Sequence, residues 1–192
     1  MKKALVIGSL NMDMTVKVEK LPKLGETIFG NEFYESCGGK GANQAVAVAK
    51  LGMKTEMIGM VGKDSQGEKL IQNLVDNGVK VDNVIKSNEL TGRAIITVDK
   101  NGDNNIIVIA GSNFKITEKD ILNKIDAIAE NDIVILQNEI PLSVVEFCLL
   151  KAKEFGKITV FNPAPATKLN DSPARWEHRA QYPDSPAVLR RG

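Results

Sequence analysis

Gly38, Gly39 and Gly41, interrupted only by Lys40, run straight into a stretch of helical character at residues 42–49. Glycine tolerates positive φ and has no Cβ to hold a ligand off. The first turn of a helix adds unpaired N–H groups at the positive end of its dipole. Anions and polyhydroxylated ligands dock at such a place. The alternative is a tight turn whose glycines only pack a helix against a strand. A Walker A loop is excluded, because Lys40 is followed by Gly41 and Ala42 where a P-loop needs Ser or Thr for its metal. Asn11 and Asp13 follow the apolar run 4–10, and Glu139 follows a second strand-like run, 132–137. Ligands of open α/β sheets bind at the carboxyl ends of the strands, so these short polar side chains are candidates for gripping hydroxyl groups. An Asx turn at Asn11 and Asp13, and a solvated loop glutamate at 139, are the ordinary alternatives.

Residues 4–10 read as a strand buried on both faces of a mostly parallel sheet. Short extended stretches at 14–18 and 27–34 flank Pro22 and Gly25 and lead into the glycine turn. The first helix ends at Gly52. Residues 55–61 then form a strand, and Asp64 or Ser65 caps a helix carrying Leu70, Ile71, Leu74 and Val75 up to Gly78. This is the βαβ rhythm of an α/β fold. It breaks at residues 94–98 and 104–109, β-branched runs around Asn101-Gly102 that read as a hairpin, either a flap or a plain edge hairpin. Thr117 and Asp120 resemble a capping box for a helix that buries Ile121, Leu122, Ile125 and Ile128. Pro141 and Ser143 open the next helix, packed by Val144, Val145, Phe147, Cys148 and Leu149, and Gly156 closes it. Residues 158–161 are the last clear strand, and Asn162-Pro163-Ala164-Pro165 leaves it as a stiff turn.

With 25 Lys plus Arg against 24 Asp plus Glu, the net charge of +1 gives no field directed at nucleic acid or an acidic membrane. Cys37 and Cys148 form neither a metal-ligand spacing nor a disulfide framework, which fits a reducing cytoplasm. The apolar run 4–10 is too short for a signal peptide or a membrane span. Beyond about residue 170 the composition changes. All 20 lysines lie at or before Lys168, whereas Arg175, Arg179, Arg190 and Arg191, four of the five arginines, follow it with the single Trp176 and His178. This pattern suggests a shifted reading frame or foreign sequence at 171–192, the alternative being a genuine linker or binding tail. Disorder is expected there either way.

Gly8-Ser9-Leu10-Asn11-Met12-Asp13, Gly38-Gly39-Lys40-Gly41-Ala42-Asn43, Leu136-Gln137-Asn138-Glu139-Ile140-Pro141 and Asn162-Pro163-Ala164-Pro165 occur in this order. In these four segments the chain resembles the PfkB-type carbohydrate kinases, the ribokinase family, over roughly residues 1–170. The resemblance implies an α/β three-layer sandwich with a mostly parallel central sheet. A small β lid, about residues 14–34 and 94–109, would close over the sugar and support a homodimer. It implies that Asn11, Asp13, Gly39, Lys40, Asn43 and Glu139 surround D-ribose, and that Asn162 faces the nucleotide and its metal. ATP, Mg²⁺ and a monovalent cation would be the cofactors, in a cytoplasmic enzyme without nucleic-acid or membrane partners. The catalytic base and anion hole of the family come from a later Gly-Ala-Gly-Asp signature that does not occur here, and Asp184 lacks its glycines. No catalytic residue is therefore assigned, and the expectation is a C-terminally truncated, inactive fragment with the cation site in the missing part. A kinase for another sugar or nucleoside and a non-catalytic sugar-binding module are the rival readings. The strand at 158–161 would lack its next neighbour, with aggregation or a loosely packed monomer as the consequence.

Overall fold

The computed structural model describes residues 2–166. In chain order it contains β1 (Lys3–Ile7), β2 (Asn11–Lys17), β3 (Glu32–Gly38), α1 (Lys40–Lys50), β4 (Lys54–Gly62) and α2 (Ser65–Asp76). Then come β5 (Val79–Lys80), β6 (Val84–Ser87), β7 (Gly92–Val98), β8 (Asn104–Ile109) and a 3-10 turn, Gly111–Lys115. The last elements are α3 (Glu118–Leu122), α4 (Ile125–Glu130), β9 (Ile133–Gln137), α5 (Leu142–Glu154) and β10 (Ile158–Asn162).

A parallel sheet runs in the order β10-β9-β1-β4-β5, with β6 continuing beside β4. Both of its faces are covered over β9, β1 and β4, so these strands are apolar runs whose alternate side chains enter two cores. Leu5, Ile7, Ile58, Met60, Val134 and Leu136 pack with Ile121 of α3, Ile128 of α4 and Val144, Val145, Cys148 and Leu149 of α5. Val6, Met57, Val61 and Ile135 face the other way, onto Ala42 and Ala45 of α1 and Leu70 and Leu74 of α2. Among the described residues no helix is long and apolar enough to cross a membrane.

The second sheet, β3-β2-β7-β8, here termed the flap, is built from the segments expected to form one. It begins at Asn11 rather than near residue 14, and its second strand is 32–38 rather than 27–34. Pro22 and Gly25 fall in the strandless connection between β2 and β3, which pair over their whole length from Asn11 opposite Gly38 to Lys17 opposite Glu32, while β2 also pairs with residues 92–98, which no local pattern reveals. The helix expected to bury Leu122 breaks at Asn123 and Lys124 into α3 and α4, which leaves Leu122 53% exposed. Val75 likewise faces solvent on α2. Among the described residues β10 pairs only with β9, and Ile158 stays 50% exposed, as expected of a strand without a further neighbour. Residues 171–192 lie outside the described residues.

Asp64 fastens the flap to this body. Its carboxylate caps α2 by accepting from Gly67 N at 2.8 Å, and it also accepts from Thr91 Oγ1 at 2.6 Å and Thr91 N at 2.9 Å, just before β7. Arg93 Nη2 stands 3.8 Å away. Burial pushes the carboxyl pKa up, but the Thr91 and Gly67 hydrogen bonds and the Arg93 charge outweigh it, and the pKa falls below 3.8. The folded state therefore gains from the ionised form above the unfolded pKa and loses that gain as pH falls through the depressed value. Asp64→Ala is expected to cost about 2–4 kcal/mol in urea unfolding at pH 7. The cost should shrink as the pH falls below the ordinary value of 3.8; a cost unchanged with pH would refute the ionic part of this account.

Candidate functional site

The first turn of α1 presses onto the β1–β2 connection. Gly39 sits at φ +91°, and a Cβ there would lie 2.7 Å from Asn11 N and 2.8 Å from Ser9 O. With that approach allowed, the N–H groups of the helix start find protein partners. Lys40 N donates to Glu139 Oε2 at 3.0 Å, Gly41 N to Ser9 Oγ at 3.3 Å and Ala42 N to Ser9 O at 2.9 Å. The anion at this helix terminus is thus the chain's own Glu139, not an open docking place. Ser9 Oγ donates to the same Glu139 oxygen at 2.5 Å, and Lys40 Nζ lies 3.5 Å from Oε1.

Asn11 and Asp13 are two apart on β2 and share one face, while Met12 between them turns into the core. Asp13 is half-buried against Gly38. Burial and the negative charge of Glu139 push its carboxyl above 3.8, with Lys40 opposing them. Asp13, Lys40 and Glu139 therefore feel one another electrostatically at the joint between the two sheets. Asn43 is exposed on the first turn of α1. Asn162 ends β10 opposite Gln137 and so stands two strands from β1, which separates it from the cluster. Among the described residues no three acidic, His or Cys groups could hold a metal ion, and the lone carboxamide of Asn162 does not supply the oxygen set that Mg²⁺ needs.

Sequence reasoning missed three buried members of the site. Ser9 is hidden inside the apolar run that was read as one strand. Gln137 is fully buried at the end of β9, where its Nε2 donates to Gln44 Oε1 at 2.6 Å. Asn113, in the 3-10 turn, bonds to the β1–β2 connection across 103 residues. Polar residues at the ends of apolar runs were the available signal for Ser9 and Gln137. Nothing local singles out Asn113. A cavity of about 370 Å³ lies elsewhere, at the opposite edge of the central sheet, where the buried Glu56 is spent on Lys80, Asn83 and Asn131.

The sequence profile of the pfkB family carbohydrate kinases matches residues 1–182. The chain belongs to this family. Among pfkB relatives, the ribokinase of Lactococcus lactis is 43% identical over 173 residues, covering 88% of this chain and 56% of its own length. The ribokinase structure from Thermotoga maritima superposes with a TM-score of 0.80 at 40% identity, over 88% of this chain and 55% of that one. The Arabidopsis thaliana ribokinase, solved with ribose and ATP, gives 0.74 at 35% identity, over 84% and 53%. The pfkB chain described here thus spans about half the length of the relatives it matches.

Proposed function

We propose that this chain is the sugar-binding half of a ribokinase-type enzyme, which transfers the γ-phosphoryl group of ATP to the 5-hydroxyl of D-ribose. What carries the reading is the joint where Asn11 and Asp13 of the flap strand β2 meet Glu139 and the start of α1. A vicinal diol needs charged acceptors and amide donors on one concave side, and Asp13, Glu139, Asn11 and Asn43 are of those types. Lys40 balances the two carboxylates, and Gly39 lets the start of α1 seat against the β1–β2 connection, which holds Lys40 beside them. The nucleotide belongs at the carboxyl end of β10, beside Asn162. Mg²⁺ and a monovalent cation would neutralise phosphate charge there, with ligands other than those assembled among the described residues.

The flap bears on assembly. The side chains of Ile106, Ile107, Val108 and Ile109 on β8 are exposed, with Phe33 on β3, a larger apolar set than an isolated flap would leave to water. A second copy covering this sheet would give the homodimer. The unpaired Cys37 and Cys148 suit the reducing cytoplasm as the enzyme's compartment.

Asp13→Asn tests the sugar site. A hydrogen bond to a charged acceptor contributes about 1.5–3 kcal/mol, so calorimetric ribose affinity should fall roughly 10- to 150-fold. The same change should not destabilise the sugar-free chain. A raised carboxyl pKa means that ionisation costs folded-state stability as pH rises through it. The variant is thus expected to be at least as stable as wild type at pH 7, with the difference vanishing below the ordinary value of 3.8. Failure of the folded wild type to bind ribose, or an affinity indifferent to Asp13→Asn, would overturn the reading.

A further inference from the structure

Asn113 is 1% exposed, and every polar atom of its carboxamide is committed. Oδ1 accepts from Leu10 N at 2.9 Å, while Nδ2 donates to Leu10 O at 3.0 Å and to Asn11 Oδ1 at 2.8 Å. The usual ambiguity between oxygen and nitrogen in an amide side chain is absent here. A backbone N–H can only donate and a backbone carbonyl can only accept, so the two bonds to Leu10 dictate which atom of Asn113 is which. The remaining Nδ2 proton can only be donated, so the Asn11 atom that faces it must be the oxygen. Asn11 Nδ2 is then turned the other way. It has no hydrogen-bond partner among the described residues, yet it is not one of the buried orphaned polar atoms, so it keeps contact with solvent.

A second feature of the fold makes room for this bond. Gly92 is the register partner of Asn11 on β7. A Cβ at Gly92 would lie 2.2 Å from both Asn11 Oδ1 and Asn113 Nδ2, so the strand opposite is bare at the point where the two amides meet.

We infer that Asn113 is a positioning residue that acts through Asn11, holding its carboxamide so that the site presents N–H donors beside the Asp13 acceptor. The inference rests on the sugar-site reading above. It adds a specificity element: the Asn11 position discriminates for a ligand hydroxyl acting as acceptor, and it does so because a residue 102 positions away fixes the rotamer.

The test is a double-mutant cycle on ribose affinity with Asn11→Ala, Asn113→Ala and the double variant, combined with NMR of the side-chain amides of the sugar-free protein. Each single variant is expected to weaken binding about 3- to 10-fold, the range of one neutral hydrogen bond. The double variant should lie within twofold of Asn11→Ala alone, since both remove the same contact. A merely structural role would give additive losses, and these would overturn the inference. Asn113→Ala should also displace the Asn11 Nδ2 signals, and unmoved signals would overturn it independently of any sugar. Should Asn113→Ala not fold, exchange in the wild type decides: slow exchange of the Asn113 amide protons with fast exchange of those of Asn11 supports the inference, and any other pattern overturns it. If Asn11→Ala leaves ribose affinity unchanged, the sugar-site reading fails, whereas the NMR arm still tests the coupling.

Discussion

The polypeptide 1–192, supplied with ATP, Mg²⁺ and D-ribose, is expected to form no ribose 5-phosphate above the uncatalysed background, even where it binds the sugar. In-line phosphoryl transfer needs a base for the attacking hydroxyl, donors for the charge on the γ-phosphate and a metal to bridge the phosphates. Among the described residues these tasks are unfilled for identifiable reasons. Glu139 is committed to Ser9 and Lys40, and the N–H groups that begin α1 are bonded to Glu139 and Ser9, leaving no vacant anion hole. The described acidic residues do not converge on a metal. Enzymes turn over at a median of about 10 s⁻¹. A coupled assay reading within about a hundredfold of that rate would mean that a carboxylate among the described residues, Asp13 or Glu139, serves as the base.

Gly39→Ala is expected to cost about 2–6 kcal/mol, a large part of the 5–15 kcal/mol that holds a domain of this kind together. Two costs coincide. At φ +91° an L side chain is strained by about 1–3 kcal/mol, and the new Cβ meets backbone atoms of Ser9, Leu10 and Asn11 at 2.7–2.9 Å, none of which can swing aside. Overpacking of that sort adds about 1–3 kcal/mol. Gly52 provides the control, because it has nearly the same φ, +88°, with nothing within 4 Å of a Cβ. Gly52→Ala should cost about 1–2 kcal/mol. Urea unfolding of the two variants measures the difference, and equal losses would show that backbone strain alone explains the glycine at 39.

How much of this was legible beforehand depended on the range of the interaction. Helix ends were readable because Gly52, Gly78 and Gly156 stop helices through their own positive φ, a local property. The Asn101-Gly102 turn declared the β7–β8 hairpin in the same way. Of the candidate site, Asn11, Asp13 and Glu139 were picked out by their places just past apolar runs; Asn11 in fact opens β2, Asp13 lies within it and Glu139 follows β9. The run 4–10, however, read as one strand, whereas β1 stops at Ile7 and the next three residues form the connection that receives α1. The glycine turn was read as joining a strand to a helix, which it does, the strand being β3 of the second sheet. The error over the run 4–10 concerns which distant segment a residue meets. Hydrophobic periodicity carries no information about a partner a hundred residues away, and Asn113 is the clearest instance.

The pairing of β2 with β7 has a consequence for modularity. The two strands run parallel, with Asn11 opposite Gly92, so no tight turn can ever link them. The flap is two separate hairpins, 11–38 and 92–109, each of a kind that is barely stable alone. They become one sheet only because β4 and α2, inserted between them in sequence, carry the chain back to the same side. The flap is therefore not a cassette. Neither hairpin can be transplanted, duplicated or exchanged on its own, and a graft onto another scaffold would need two insertion points set at the distance that the central sheet dictates.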